Sequence, residues 1–283
     1  MTKLSALIAL TRVDLPLSAG ICVVLGQMFA LDRPAPVGVL LCGFFSIFLL
    51  SASILAMNDV IDVESDRVNA PRRPIPSGRV SRRQALVFSL GLLLAGLLLG
   101  LRIGVAQFFI ALGLAVVGFL YNRVFKKSGL FGNALVSLSV GMTFLYGGAS
   151  VGAPFNRTVV LFALIAALVD LGEEIAADAM DMQGDRLIRS RSLALRYGRR
   201  AALRVSAGVF GLVVLLSVAP FALRWFTLPY LLPMALMDGC IVFSTVKLLG
   251  ARGQAGRRYI RWLYLGATLG LVVFLAMRLA GVR

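Results

Sequence analysis

Apolar residues run along this chain in blocks of about twenty. Short polar segments rich in arginine, glycine or proline separate the blocks. A helix rises about 1.5 Å per residue, so about 20 apolar residues cross the hydrocarbon core of a bilayer. Nine blocks reach that length: Ala6–Leu31, Val37–Asn58, Gln84–Leu101, Ile103–Tyr121, Gly132–Val151, Thr158–Asp178, Ala201–Ala222, Thr227–Leu249 and Trp262–Ala280. In lipid each block must satisfy its own backbone hydrogen bonds, which selects helix. The pattern predicts an all-α polytopic membrane bundle of nine transmembrane helices. The blocks nearly fill residues 1–283, so one transmembrane domain is expected and no separate soluble one.

Composition sharpens this picture. The chain is 59% hydrophobic and 15% charged, against about a quarter charged in soluble domains. Disorder, coiled coil and a disulfide scaffold are excluded. Cys22, Cys42 and Cys240 lie inside apolar blocks without metal-like spacing and read as packing residues. With no histidine, there is no histidine ligand or base.

The charge balance is lopsided, with 29 Lys+Arg against 13 Asp+Glu. On a soluble protein that surplus would suggest nucleic acid. Here the basic residues follow the topology, and no nucleic-acid partner is expected. With the N-terminus in the cytoplasm, twenty-two of them fall on cytoplasmic segments. Six fall outside: Arg33, Arg102, Arg157, Arg224, Arg278 and Arg283. Arg12 lies inside the first block. Such an excess fixes orientation by the positive-inside rule. The expectation is an integral protein of the cell inner membrane, its long loops and its working face toward the cytoplasm.

Ten of the thirteen acids form two clusters where an apolar block meets a basic loop. The first is Asp59, Asp62, Glu64 and Asp66; the second is Asp170, Glu173, Glu174, Asp178, Asp181 and Asp185. Asp59, Asp62 and Asp66 are spaced i, i+3, i+7, which puts them on one helix face with Asn58. Asp178, Asp181 and Asp185 repeat the spacing 119 residues later. That offset carries the second block onto the sixth and predicts a parallel four-helix internal repeat. Six like charges at one membrane face repel unless cations join them. Magnesium takes oxygen ligands and is typically held by one or two carboxylates plus substrate phosphates. Facing acidic patches therefore suggest a bridged metal–diphosphate site, with arginine and lysine neutralising phosphate oxygens.

Glu174 and Asp170 continue the second stripe deeper into the sixth block, where ionisable residues are functional by default. Glu174 would orient an acceptor or act as a base, or else pair with Arg12 or a hydroxyl. The first long loop, Asn69 to Arg79, holds three prolines and a glycine and reads as a stiff lid, with Ser81 capping the next helix. Arg72, Arg73 and Arg79 face the first acidic stripe or the lipid headgroups. Lys126 and Lys127 read either as phosphate clamps or as topology charge. The third long loop carries Arg186, Arg189, Arg191 and Arg196.

These residues resemble the UbiA superfamily of intramembrane prenyltransferases. Asn58-Asp59-x-x-Asp62-x-x-x-Asp66, followed by Asn69 and Arg73-Pro74-Ile75-Pro76-Ser77-Gly78, is similar to that family's first signature. Asp178-x-x-Asp181-x-x-x-Asp185 is similar to its second. Tyr121-Asn122 with Lys126, Gly129 to Asn133, Phe144 to Gly148, and Glu174-Ile175 resemble the digeranylgeranylglyceryl phosphate synthase branch. The chain departs from that branch in three places. Val13-Asp14-Leu15 follows Arg12 where Pro-x-Asn is usual, Glu173 replaces an arginine, and Ser192-Leu193-Ala194 replaces Thr-Leu-Pro.

The resemblance implies a prenyl diphosphate held by magnesium between the two motifs. The diphosphate departs, and a nucleophile on an amphiphilic acceptor captures the allylic cation. Asp59, Asp62, Asp66, Asp178, Asp181 and Asp185 would ligate metal, with Asp62, Asp181 and Glu174 carrying catalysis. Arg12, Asn58, Arg72, Arg73, Tyr121, Asn122, Lys126 and Arg186 would hold substrate. The implied donor is geranylgeranyl-like. The implied acceptor is geranylgeranylglyceryl phosphate or a related ether-lipid or quinone-type molecule. Two other readings remain: a terpene cyclase of the same family acting on the diphosphate alone, and a membrane transporter.

Overall fold

The computed structural model describes residues 2–187, 190–251 and 253–282, and every regular element among them is helical. A short helix, α1 (Lys3–Thr11), precedes α2 (Asp14–Leu31) and α3 (Val37–Ile61). A helix of about two turns, α4 (Val63–Asn69), leads into the proline loop. Then come α5 (Arg82–Ile103), α6 (Val105–Arg123), α7 (Leu130–Ser150) and α8 (Arg157–Met180). Two short pieces, α9 (Met182–Leu187) and α10 (Leu193–Tyr197), connect to α11 (Arg199–Ala222), α12 (Leu231–Gly250) and α13 (Gly253–Leu279).

Nine of these helices have 18 residues or more among the described residues, matching the expected number. Eight are apolar enough to cross a membrane. The ninth, α8, has the length but carries Asp170, Glu173, Glu174 and Asp178 in its second half. The chain is an integral membrane protein, and α8 is the long helix whose apolar run is interrupted by the acids.

Two expected boundaries are corrected. The first block is not one helix: Arg12 takes a left-handed conformation (φ 46°), which ends α1 and restarts the chain as α2. This is a conformation that side chains with a Cβ rarely adopt without a local reason. The reason is visible in the fold, because Arg12 turns its guanidinium onto Asp59. The last block begins nine residues earlier than its apolar run, at Gly253, so Arg257, Arg258 and Arg261 lie on a helix rather than in a loop. Ser81 does cap α5, in a reciprocal capping box with Gln84.

The internal repeat is structural as well as sequential. Shifting α3 by the 119-residue offset places it on α8, and α2, α4 and α5 fall on α7, α9 and α11. Even the interhelical bonds correspond. Ser89 Oγ donates to Ser53 O (3.0 Å) from α5 to α3, and Ser206 Oγ donates to Gly172 O (2.6 Å) from α11 to α8. Position 172 is Ser53 moved by the same offset. The helix α13 stands outside the repeat and packs against α12, α8 and α2.

The two halves meet where α2 crosses α7. A Cβ on Gly26 would stand 2.4 Å from Phe144 O, and one on Gly147 would stand 2.2 Å from Val23 O. The helices touch backbone to backbone, as small residues permit in membranes. Gln27 then donates to Ser150 Oγ on α7 (2.9 Å) and to Val39 O on α3 (3.1 Å). Gly147→Leu cannot be accommodated without moving a helix. It should lower stability by about 2 kcal/mol or more, read as a lower unfolding midpoint in detergent; an unchanged midpoint would contradict the crossing.

Candidate active site

Both acidic motifs sit at helix breaks. The helix α3 stops at Ile61 and α4 starts at Val63, with Asp62 between them (φ −86°, ψ 9°). The helix α8 stops at Met180 and α9 starts at Met182, with Asp181 between them (φ −104°, ψ 13°). The expected single helix face is thus corrected. Each trio is split by a bridge-region residue, and in both halves it is the middle aspartate.

The first trio is fully paired with cations. Asp59 is 3% exposed and takes Arg12 Nη2 at 2.6 Å and Arg73 Nη1 at 3.4 Å. Asp66 takes Arg73 Nη1 at 2.6 Å. Lys126 forms an ion pair with Asp62. The proline loop behaves as the stiff lid expected of it. Ile75 and Val80 are buried beside α1 and α3, the Ser77 and Gly78 amides close turns onto Arg73 and Ile75 carbonyls, and Arg73 points inward. Asn58 Nδ2 donates to Asn122 Oδ1 at 2.7 Å, tying α3 to α6.

The second trio is paired largely with neutral groups. Asn133 Nδ2 donates to Asp178 Oδ2 at 2.9 Å, and the Ser137 hydroxyl donates to Asp170 at 2.8 Å. Asp185 is bonded by the Ser192 hydroxyl. Burial pushes its carboxyl above the usual carboxylate range and Asp181 adds to this, while Ser192 and Lys126 pull the other way. Among the described residues, Asp185 Oδ2 is buried without a hydrogen-bond partner. Asp181, 45% exposed, pairs with Arg257.

Lys126 and Tyr121 join the two halves. Lys126 binds Asp62 and lies within electrostatic reach of Glu174 and Asp185. Tyr121 is within reach of Asp62, Asp170, Glu174 and Asp178. The loop carrying Lys126 is locked to the third loop. Gly129 (φ +67°) presses so close to Arg191 that a Cβ would lie 2.1 Å from its carbonyl, and the Arg191 amide donates to Lys127 O at 3.0 Å.

The structure therefore brings together Arg12, Asn58, Asp59, Asp62, Asp66, Arg73, Tyr121, Asn122, Lys126, Glu174, Asp178, Asp181 and Asp185. Arg12 pairs with Asp59, not with Glu174. Arg72 and Arg186 are exposed, and neither forms an ion pair among the described residues. Arg189 and the side chain of Asn69 lie outside the described residues. Sequence reading missed three participants. Arg257 looked like topology charge, while Asn133 and Ser192 stood out only as a likeness to and a departure from the family branch, without a site role. A signal existed for Asn133, which is Asp14 moved by the repeat offset.

No group of three or more acidic or cysteine side chains among the described residues is arranged to hold a metal alone. Magnesium needs only one or two carboxylates when phosphates complete its shell. The second half fits that role, with several carboxylates on neutral partners and one buried oxygen unpaired.

Fold and site define a polytopic helical membrane protein with two acidic motifs and their cationic partners gathered at one end of a duplicated bundle. A family model described as the UbiA prenyltransferase family matches residues 19–266, and the chain belongs to that family. Among relatives, the digeranylgeranylglyceryl phosphate synthase of Methanococcus aeolicus is 32% identical, covering 87% of this chain and 88% of its own. That of Methanopyrus kandleri is 36% identical, covering 91% and 93%. A solved structure concerned with digeranylgeranylglyceryl phosphate synthase in membranes matches with TM-score 0.75 and 30% identity, over 99% of this chain and all of that one. A UbiA homologue from Archaeoglobus fulgidus, solved with GPP and Mg2+, has the same fold (TM-score 0.69, 18% identity, 95% and 99% covered).

The asymmetry between the halves separates two roles that the sequence makes look equivalent. Asp59→Ala should cost about 2–3 kcal/mol, because it leaves half-buried Arg12 without its carboxylate, while Arg73 keeps Asp66. Asp181→Ala, half in water, should change stability by less than about 1 kcal/mol. Thermal unfolding of both variants in detergent checks this; equal midpoints would contradict it.

Proposed function

We propose that the protein transfers a geranylgeranyl-like prenyl group from its diphosphate to an amphiphilic acceptor. Geranylgeranylglyceryl phosphate is the acceptor that fits best. Relatives named digeranylgeranylglyceryl phosphate synthase, similar over most of the chain, support the substrate pair. The observation that carries the reading is the pair of helix breaks at Asp62 and Asp181, with Lys126 reaching both acidic motifs. Residues 1–283 work as one domain in this reading. The N-terminus and the site lie on the cytoplasmic side of the cell inner membrane, in keeping with the arginine-rich connections.

Magnesium, when bound, supplies charge that stabilises the departing diphosphate. The chain's own residues do the rest. Asp62, Asp178, Asp181 and Asp185 would hold the metal–diphosphate, with the better-neutralised Asp59 and Asp66 fixing the first motif in place. Lys126, Arg73 and Arg12 are poised to exchange carboxylate for phosphate oxygens. They can do so at little net cost, because one anionic partner replaces another. Asn58 and Asn122 orient the end of α3 against α6. Glu174, one turn before Asp178 on α8 and within electrostatic reach of Lys126, takes the proton from the acceptor's hydroxyl as the new carbon–oxygen bond forms, with Tyr121 nearby. The surrounding apolar helices exclude water from the allylic cation.

Purified protein with geranylgeranyl diphosphate and geranylgeranylglyceryl phosphate should form the doubly prenylated lipid, and chelation of divalent ions should abolish the product. Asp62→Asn and Asp181→Asn should each lower turnover about a thousandfold or more, with unchanged helical circular dichroism. Near-normal turnover in either variant would remove the assignment. A cyclised hydrocarbon or alcohol formed from the diphosphate alone would replace it with a cyclase.

A further inference from the structure

The start of α13 brings a second set of cations to the rim of the site. Arg257, Arg258 and Arg261, with Trp262 and Leu265, line an open groove of about 430 Å³. Charge that served topology alone would face water or headgroups. Two of these three arginines instead reach across to other helices. Arg257 pairs with Asp181 at the α8–α9 break, and Arg261 Nη2 lies 3.0 Å from Asp14 Oδ2 on α2 and within electrostatic reach of Glu173 on α8. Arg258 has no carboxylate partner among the described residues and lies over the Trp262 ring, 5.0 Å from its centroid.

The position of the groove is built, not incidental. The helix α13 meets the end of α8 so closely that a Cβ on Gly256 would lie 2.1 Å from Met180 Sδ. Lower down, Tyr264 donates to Asp14 O (2.8 Å), and Ser18 meets both the Tyr264 hydroxyl (2.9 Å) and the Thr268 hydroxyl (3.1 Å). These bonds hold α13 to α2 beside the first motif's Arg12.

The groove is also amphiphilic along its length. Positions 258, 262, 265 and 269 share one face of a helix. Arg258 stands at its polar end, and exposed Trp262, Leu265 and Leu269 follow toward the membrane interior. A molecule with an anionic head and hydrocarbon chains could enter from the bilayer without leaving it.

We infer that this groove seats the phosphate monoester of the acceptor, apart from the diphosphate site between the motifs. The inference rests on the transfer reading above. A monoester dianion offers three acceptor oxygens and up to two charges, whereas a bilayer phosphodiester offers one charge. Three guanidiniums in one groove match the monoester. Arg258 and Arg261 grip the head, and Arg257, shared with Asp181, couples the seated head to the second motif.

The test is binding, measured in neutral phosphatidylcholine nanodiscs. Geranylgeranylglyceryl phosphate and the matching dephosphorylated alcohol are titrated into the unaltered protein, Arg258→Gln and Arg261→Gln. Affinity for the phosphate lipid should fall about tenfold or more in each variant, with no change for the alcohol. Equal phosphate-lipid affinity in all three proteins would overturn the inference. So would a difference that emerges only when phosphatidylglycerol is added, which would give the groove to bulk anionic lipid. Arginine-dependent binding without any prenyl transfer would uphold the groove and sink the transferase reading instead.

Discussion

Six carboxylates of two matching motifs share one membrane face, and the rest of the structure answers to the cost of keeping them there. Like charges at the edge of a low-dielectric slab repel and resist desolvation. The protein meets this with cations drawn from distant segments. Arg12 comes from a left-handed break before α2, Arg73 from the proline lid, Lys126 from the turn after α6, and Arg257 from α13. Because each cation belongs to a different element, neutralising the acids also ties those elements into one frame. The close crossing of α2 and α7 and the locked contact of Gly129 on Arg191 hold that frame steady.

The two halves match in spacing and helix order and differ in the partners of their acids. The first motif is satisfied by arginine and lysine. In the second, Asp178 and Asp185 are met by asparagine and serine and Asp181 by Arg257, leaving negative charge in excess. A half that is electrostatically closed and a half that still calls for cations form a natural seat for a metal-bound polyanion. The closed half supplies rigid structure, and the open half supplies affinity.

Much of this was legible in the sequence. Helical class and the approximate number of spans followed from block length alone, since lipid allows few other forms. The repeat followed from a spacing that recurs at one offset, and the lid from its prolines. What stayed hidden depended on three-dimensional meeting. No periodicity reveals that the first block breaks at Arg12, because the break is stabilised by Asp59, 47 residues away. The early start of α13 was masked because Arg257, Arg258 and Arg261 are polar, although helix propensity does not require apolar residues. Arg257 and Asp181 are 76 residues apart, so their partnership exists only once α13 returns to the end of α8. The split of each trio at its middle aspartate was equally invisible, since a helical spacing says where residues would lie on an unbroken helix.

The central claim is that both motifs grip a single metal-bound diphosphate. A double-mutant cycle tests it most directly: magnesium-dependent binding of a non-reactive prenyl diphosphate analogue to the unaltered protein, Asp62→Asn, Asp181→Asn and the pair combined. If one head bridges both motifs, each single change should remove most of the magnesium-dependent affinity and the double change should add little. Losses that simply sum would mean two independent sites and would contradict the account.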